Sequence, residues 1–242
     1  MFTYKKIKQF ILDIIFPVSC IGCLKESEWI CRACLTTIKI QEKQVCPICR
    51  EQTSKGSVCN TCKGSSDLSG LLIATSYDNQ LIQKAIHAMK YCFIQELALP
   101  LAQQLIAMLD KVDNLAVKAI LKNPENVVIT AVPLHPKRKL ERGFNQAALL
   151  ARIIASHYSL HYVPDLLQRK RYTEMQANLD KQNRIANMHN AFQVKRGLNK
   201  IQKNVILIDD VATTLSTLNE CAKALKKANC NQIWGLVVAR GK

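Results

Sequence analysis

The sequence predicts an α/β protein whose parallel sheet is flanked by helices and preceded by a small cysteine-rich module. Short apolar stretches alternate with segments of helical period, and each stretch is apolar nearly throughout, which is typical of parallel strands covered on both faces. Eight of the 11 cysteines form CxxC pairs before residue 63, and 48% of the 242 residues are hydrophobic. That content supports a core and excludes a wholly disordered basic chain. We expect an N-terminal helix and the cysteine module at 1–66 and the α/β domain at 67–242.

The CxxC pairs predict two structural zinc sites. They are Cys20/Cys23, Cys31/Cys34, Cys46/Cys49 and Cys59/Cys62. A tight turn points the two thiolates of a pair at one ion, and four pairs fill two closed tetrahedral sites, as in a double zinc ribbon. Neighbouring pairs are expected to share an ion, which gives Cys20, Cys23, Cys31 and Cys34 for one site and the remaining four for the other; spacing alone leaves a crossed pairing open.

A disulfide framework and an iron–sulfur cluster are the two alternative roles of these cysteines. A disulfide framework needs export, and the basic start of the chain followed by 10–16 resembles a signal peptide. However, Asp13 interrupts that apolar run and no small-residue cleavage site follows it. A four-thiolate iron–sulfur cluster is the remaining alternative. The zinc interpretation predicts a cytoplasmic protein, and no stretch reaches the roughly 18 apolar residues of a membrane span.

The remaining elements follow from hydrophobic periodicity. Strands are predicted at 71–77, 127–132, 205–208 and 233–239. Helices are predicted at 79–91, 97–108, 144–157 and 217–227. Neither GxGxxG nor GxxxxGK[ST] occurs, which excludes the two common glycine-rich nucleotide loops.

The stretch after the strand at 205–208 carries the chemistry. Asp209 and Asp210 leave the strand, and a hydroxyl-rich turn then opens a helix. Carboxylates at the carboxyl end of a parallel strand can accept hydrogen bonds from ribose hydroxyls, while backbone N–H groups and hydroxyls at a helix start suit a phosphate. The simpler alternative is that Asp210 or a threonine only caps the helix.

This stretch, 205–217, resembles the loop that binds 5-phosphoribosyl 1-pyrophosphate (PRPP) in type I phosphoribosyltransferases. Nearly the whole chain resembles the ComF proteins of bacterial competence, which have an N-terminal zinc ribbon followed by such a domain. The supporting residues are the stretches 16–17, 86–91, 132–138, 141–146, 171–173 and 187–192, together with Gln176, Leu179 and Arg184.

The resemblance implies a type I phosphoribosyltransferase-like sheet and a role for each loop residue. Asp209 and Asp210, at the catalytic position, would hold the ribose 2′- and 3′-hydroxyls. The 5′-phosphate would lie on the turn formed by Thr213, Thr214, Leu215, Ser216 and Thr217. The pyrophosphate, with Mg²⁺ held by ligand oxygens and water, would meet Lys90, Lys137, Arg138 and Arg142, under a hood at 169–184.

Leu215 departs from the family pattern, in which glycine commonly follows the two threonines. Backbone close to phosphate can need a positive φ, which costs a non-glycine residue about 1–3 kcal/mol, and a bulky side chain can crowd the ligand. We therefore expect Leu215→Gly to tighten PRPP binding.

Charge indicates a second, larger anionic partner. The formal net charge is +16, and residues 137–203 contain 14 Lys and Arg against 4 Asp and Glu. A solvated basic face is the plain alternative, but pyrophosphate needs only about two or three of these charges. The cluster Arg169, Lys170 and Arg171 is the predicted contact for single-stranded DNA.

Two hypotheses for function remain open. One is a PRPP-dependent phosphoribosyltransferase with an unknown acceptor. The other, implied by the resemblance to ComF proteins, is a component of natural transformation that handles single-stranded DNA with the competence helicase and the DNA-uptake channel. That component would act in the cytoplasm, or at the inner membrane through the uptake machinery.

Overall fold

The computed structural model describes residues 17–26, 28–53, 55–112, 115–170, 191–195, 197, 201 and 203–241. The predicted N-terminal helix before residue 17, Arg171 and the hood beyond residue 170 lie outside these ranges. Within them, every helix is too short or too polar to cross a lipid bilayer.

A five-stranded parallel sheet organises the described chain, as the apolar strands predict. Its strands are β1 (Gly70–Ser76), β2 (Val127–Ala131), β3 (His161–Tyr162), β6 (Asn204–Ala212) and β7 (Ile233–Arg240), in the spatial order β1-β7-β6-β2-β3. β4 (Leu167–Arg169) and β5 (Phe192–Val194) form a separate antiparallel hairpin.

Helices cover both faces of the sheet. They are α1 (Arg32–Thr36), α2 (Gln80–Tyr91), α3 (Ala98–Lys111), α4 (Leu115–Leu121), α5 (Pro136–Arg142), α6 (Gln146–His157) and α7 (Ser216–Lys227). One core cluster joins α2, α3, α4 and α6 to alternate residues of the strands. The intervening strand residues face α7 and the β4–β5 hairpin in a second cluster, as the alternation of side chains along a strand requires.

One strand boundary differs from the prediction. Asp209 and Asp210 do not end β6, because its pairing with β7 continues from Asp209↔Val237 to Ala212↔Arg240. The polar residues therefore belong to the strand itself. The sequence analysis also assigned no helix to Pro136–Arg142, which forms one here because Pro136 stands in its first turn and the His135 side chain accepts a hydrogen bond from the Lys137 N–H.

The cysteine module covers the edge strand β1. The Gln44 side chain is buried and pairs with Ile73 like a strand: its Nε2 donates to the Ile73 carbonyl at 2.9 Å, and the Ile73 N–H donates to its Oε1 at 3.0 Å. The Gln41 N–H donates to the Ala74 carbonyl at 2.8 Å. Ile30 and Ile38 belong to the larger core cluster. The module thus shares both hydrogen bonds and core with the sheet.

Candidate functional site

The cysteines form two four-sulfur groups with the pairing expected from sequence order. Within each group all sulfur atoms lie within 4.8 Å of one another. The groups are Cys20, Cys23, Cys31 and Cys34, and Cys46, Cys49, Cys59 and Cys62. A tetrahedral zinc ion with bonds of about 2.3 Å needs sulfurs about 3.8 Å apart, and Cys23–Cys31 and Cys49–Cys59 are 3.6 Å apart. Each group can hold one zinc ion.

Backbone N–H groups favour the thiolate form of one cysteine in each group. Burial disfavours the charged form of Cys20, but N–H donors including those of Cys31 and Gly22 outweigh it and lower the pKa of the Cys20 thiol to about 6. The same balance lowers the pKa of Cys46 to about 6, with Cys59 N–H as a donor. These thiols are therefore ready to bind a metal at neutral pH.

The second candidate site surrounds the acid pair on β6. Asp210 is buried, and its Oδ2 lies 2.5 Å from Nζ of Lys90. Lys90 stands in the last turn of α2, a helix whose first turn is capped by the Asn79 side chain. Burial would lower the pKa of Lys90, but the charge of Asp210 outweighs it and raises that pKa above its usual value. Lys90 therefore keeps its positive charge beside Asp210.

Asp209 behaves differently from its neighbour. Burial and then the negative charge of Asp210 raise the pKa of the Asp209 carboxyl to about 8, against the opposing effect of Lys90. Two adjacent carboxyls thus share the charge of one lysine. Asp209 therefore holds its proton at neutral pH, whereas Asp210 accepts from the Val211 N–H at 2.9 Å.

The turn after β6 leads into α7 without a side-chain cap. Leu215 occupies the N-cap position in the left-handed conformation, with φ 62° and ψ −5°. Beside it, Oγ of Ser216 and Oγ1 of Thr214 are hydrogen-bonded at 2.8 Å. The first-turn N–H groups of α7 receive no cap from Leu215, so this helix start has the character of an anion site.

The expected positive φ at Leu215 is confirmed, and the burial of its side chain argues against the expected crowding of the ligand. Leu215 is 6% exposed and belongs to the core cluster that includes Leu218 and Val132. The left-handed backbone turns the side chain into the core, where hydrophobic burial offsets the strain.

Cations from separate elements surround the acid pair. Arg142, at the end of α5, lies with Cζ 5.6 Å from the centroid of the Tyr91 ring, and its charge reaches Lys90. Burial and then the charges of Arg169, Arg138 and Lys137 lower the pKa of His135. Arg169 itself interacts with both Arg138 and Asp209. Three elements, α2, α5 and β4, therefore direct positive charge toward this edge of the sheet.

The predicted DNA contacts separate in the structure. Arg169 is half-buried on β4, with Cζ 5.4 Å from the centroid of the Phe192 ring, and its charge reaches Asp209. Lys170 is exposed. Sequence reasoning did not single out His135 or Tyr91 individually, although both lie in stretches that support the family resemblance.

Comparison with known proteins agrees with both parts of the chain. A family model for the double zinc ribbon domain matches residues 11–63. Competence protein F of Haemophilus influenzae is 37% identical over 122 residues, which are 49% of this chain and 52% of that protein. DNA utilization protein YhgH of Salmonella typhimurium is 29% identical over 214 residues, 87% of this chain and 91% of that protein. Competence protein ComFC of Bacillus subtilis is 27% identical over 214 residues, 84% and 80% of the two chains.

The chain is a homologue of these competence and DNA utilization proteins. The resemblance to ComF proteins stated from the sequence is thereby confirmed, as is the N-terminal double zinc ribbon. The Haemophilus match spans about half of that protein's length, whereas the YhgH and ComFC matches span most of theirs. For this chain, the zinc ribbon and the acid-pair site are the two features from which a function can be argued.

Proposed function

We propose that this protein is a ComF-like component of DNA uptake in natural transformation, which binds PRPP with Mg²⁺ at the acid pair and single-stranded DNA on its basic surface. The names of its relatives, competence proteins and DNA utilization proteins, support the biological role. The acid pair supports the ligand. Its further partners on this proposal are the competence helicase and the DNA-uptake channel.

The convergence of Asp209, Asp210 and Lys90 with an uncapped helix start is the observation that supports PRPP binding most directly. Adjacent carboxyl groups can accept hydrogen bonds from the vicinal ribose hydroxyls. The start of α7 suits the 5′-phosphate, since its N–H groups and dipole favour an anion. Arg138 and Arg142 can then neutralise the pyrophosphate.

Mg²⁺ fits this site best through the ligand. The Lys90 ammonium already lies 2.5 Å from Asp210, so an ion held directly by that carboxylate would meet a like charge. Pyrophosphate and ribose oxygens with water are the ordinary shell for Mg²⁺ beside few carboxylates. When bound there, the ion would neutralise charge on the pyrophosphate. The residues of the chain bind and orient the sugar and its phosphates.

The alternative function, phosphoribosyl transfer to an acceptor, needs a base that His135 is poorly suited to provide. Its Nδ1 accepts from the Lys137 N–H at 3.2 Å, so the neutral ring carries its proton on Nε2. This tautomer donates, which suits a pyrophosphate oxygen. Release of pyrophosphate in the presence of a defined acceptor would favour transfer over binding alone.

Calorimetric titration with PRPP and Mg²⁺ tests the site. We expect wild type to bind and the double variant Asp209→Ala with Asp210→Ala to lose about tenfold or more in affinity, because it loses two hydrogen bonds to the ribose hydroxyls of about 0.5–1.5 kcal/mol each and leaves Lys90 without its partner. The matched control, Asp67→Ala with Asp165→Ala, removes two exposed acids outside the site and should bind like wild type. Zinc content and thermal midpoint establish that each variant is folded. Absence of binding to wild type would refute the PRPP proposal.

A further inference from the structure

We propose that a groove between the β4–β5 hairpin and α7 holds the phosphate backbone of single-stranded DNA, with Lys170, Lys223 and Lys227 as its cations. This inference rests on the proposed DNA-binding function and names the surface that performs it. Two of the three lysines lie on α7, outside the cluster at 169–171 that the sequence indicated.

The groove is a distinct feature of the second face of the sheet. Its volume is about 420 Å³. Its walls are the hairpin on one side and one face of α7 on the other. It is lined by Lys170, Phe192, Gln193, Val194, Glu220, Lys223, Ala224, Lys227 and Ala228.

The charges along the groove favour an extended anion. Lys223 and Lys227 are one helical turn apart on the same face of α7, and Lys170 lines the groove from the hairpin. Glu220, 3.9 Å from Lys223, is the acid among the lining residues. Three ammonium groups spread along two walls fit successive phosphates better than one compact ligand.

Lys226 has a different environment from the groove lysines Lys223 and Lys227. Its ammonium donates to the carbonyls of Cys230 and Asn231 and so closes the C-terminal turn of α7. Lys223 is 38% exposed and Lys227 is also exposed. Lys223 and Lys227 are thus accessible in the groove, whereas the Lys226 ammonium is bound to backbone carbonyls.

The apolar part of the groove lining favours a single strand over a duplex. Phe192, Ala224 and Ala228 are buried side chains that line it. The faces of unpaired bases can pack on the apolar stems of the lining lysines, whereas duplex bases are stacked inside the helix. The Arg169 guanidinium lies over the Phe192 ring, and its charge interacts with Asp209. The groove therefore adjoins the acid-pair site.

Fluorescence anisotropy on the full zinc-loaded chain tests this surface, with a labelled oligothymidylate of about 16 nucleotides as the probe. The groove variant is Lys170→Gln with Lys223→Gln and Lys227→Gln. Each phosphate contact in a single strand contributes about 0.7 to the slope of log affinity against log salt, so we expect the slope to decrease by about 2. The control is Lys84→Gln with Lys111→Gln and Lys122→Gln, three exposed lysines on or beside helices of the opposite face. In this control we expect the slope to decrease by less than a third of the decrease in the groove variant.

The outcomes separate the two levels of the proposal. If wild type binds the oligonucleotide but the groove and control substitutions lower the affinity equally, the groove assignment is wrong and DNA binding stands. If wild type does not bind at all, DNA binding and the groove both fail, and PRPP binding is judged by its own titration. Competition by duplex DNA as strong as by single-stranded DNA would overturn the single-strand assignment. Equal zinc content and thermal midpoints exclude misfolding as the cause of any loss.

Discussion

Leu215 illustrates how one residue can keep a strained backbone at a binding loop. Its left-handed φ of 62° would suit glycine. The side chain is buried in the core with Leu218, and burying a leucine contributes about 1.5–3 kcal/mol. The strain costs about 1–2 kcal/mol. Burial therefore outweighs strain, and a leucine is tolerated where family members commonly have glycine.

Leu215→Gly should consequently destabilise the protein without tightening PRPP binding. Removing the buried side chain costs about 2–5 kcal/mol, and relief of strain returns only about 1–2 kcal/mol. We expect a net loss of about 1–3 kcal/mol by urea denaturation and an unchanged affinity by calorimetry, because the strain is common to free and bound states. Asn229→Gly is the matched control: Asn229 follows α7, is also left-handed with φ 59°, but is exposed. Tighter PRPP binding in Leu215→Gly would restore the crowding explanation.

Asp209 should make stability depend on pH. Its pKa is about 8 in the folded chain against 3.8 for the free side chain, so the folded state holds a proton that the unfolded state releases. Stability therefore falls as pH rises through this window, with a slope of up to about 1.4 kcal/mol per pH unit. Urea unfolding across the window should show this slope in wild type and its loss in Asp209→Asn. The exposed acid variant Asp67→Asn should keep the wild-type slope, and parallel curves for wild type and Asp209→Asn would contradict the assignment.

At the scale of elements, β1 is the strand at one edge of the sheet, and the zinc ribbon covers that edge. Gln44 satisfies both peptide groups of Ile73, Thr75 Oγ1 donates to the Lys39 carbonyl at 3.0 Å, and the Leu71 N–H donates to the Gly56 carbonyl at 2.9 Å. An uncovered edge strand is a template for aggregation. The module therefore bonds to the edge of β1 as a neighbouring strand would.

Gln44→Ala should destabilise the protein by about 2 kcal/mol or more, because each buried peptide group left without a partner costs about 1–3 kcal/mol. Gln41→Ala is the control, since its side chain makes an exposed hydrogen bond of 3.4 Å to the Lys43 carbonyl. It should change stability by less than about 0.5 kcal/mol. Chemical denaturation of both variants measures the difference; equal effects would show that Gln44 does not seal the strand.

For the whole molecule, the shared core makes zinc binding part of the stability of the sheet. Ile30 and Ile38 of the module lie in the same cluster as Trp234 of β7, and Nη2 of Arg240 donates to the Pro47 carbonyl at 2.6 Å. Folding of zinc modules is coupled to their metal. Loss of zinc is therefore transmitted to the α/β domain.

Chelation should lower the unfolding midpoint of the sheet as well as that of the module. The chain has two tryptophans, Trp29 and Trp234, so Trp29→Phe leaves Trp234 as a reporter of the sheet alone. We expect release of two zinc ions per chain, consistent with the two cysteine groups, and a lower thermal midpoint of Trp234 fluorescence. Trp234→Phe, which leaves Trp29, reports on the module for comparison. An unchanged midpoint at Trp234 after complete zinc release would show that the two parts unfold independently.

Sequence reasoning succeeded where the relevant residues are close in the chain. The CxxC turns, the apolar strands and the helix at Gln80–Tyr91 are visible as local spacing and period. It misplaced the end of β6, since the polar pair Asp209–Asp210 resembles a strand end and only the pairing with β7 extends the strand. It also missed α5, whose charged residues have no apolar stripe.

The amino-acid sequence by itself determined the two cysteine groups, the parallel sheet and the acid and hydroxyl loop, because each is encoded in one short stretch or in a repeated period. Only the tertiary structure decided that Lys90 pairs with Asp210, that the charge of Arg169 interacts with Asp209, that Gln44 covers β1 and that Lys170 shares a groove with Lys223 and Lys227. These contacts join residues far apart in the chain. They depend on the order in which strands pair and on the face each helix covers, which neither composition nor local period specifies.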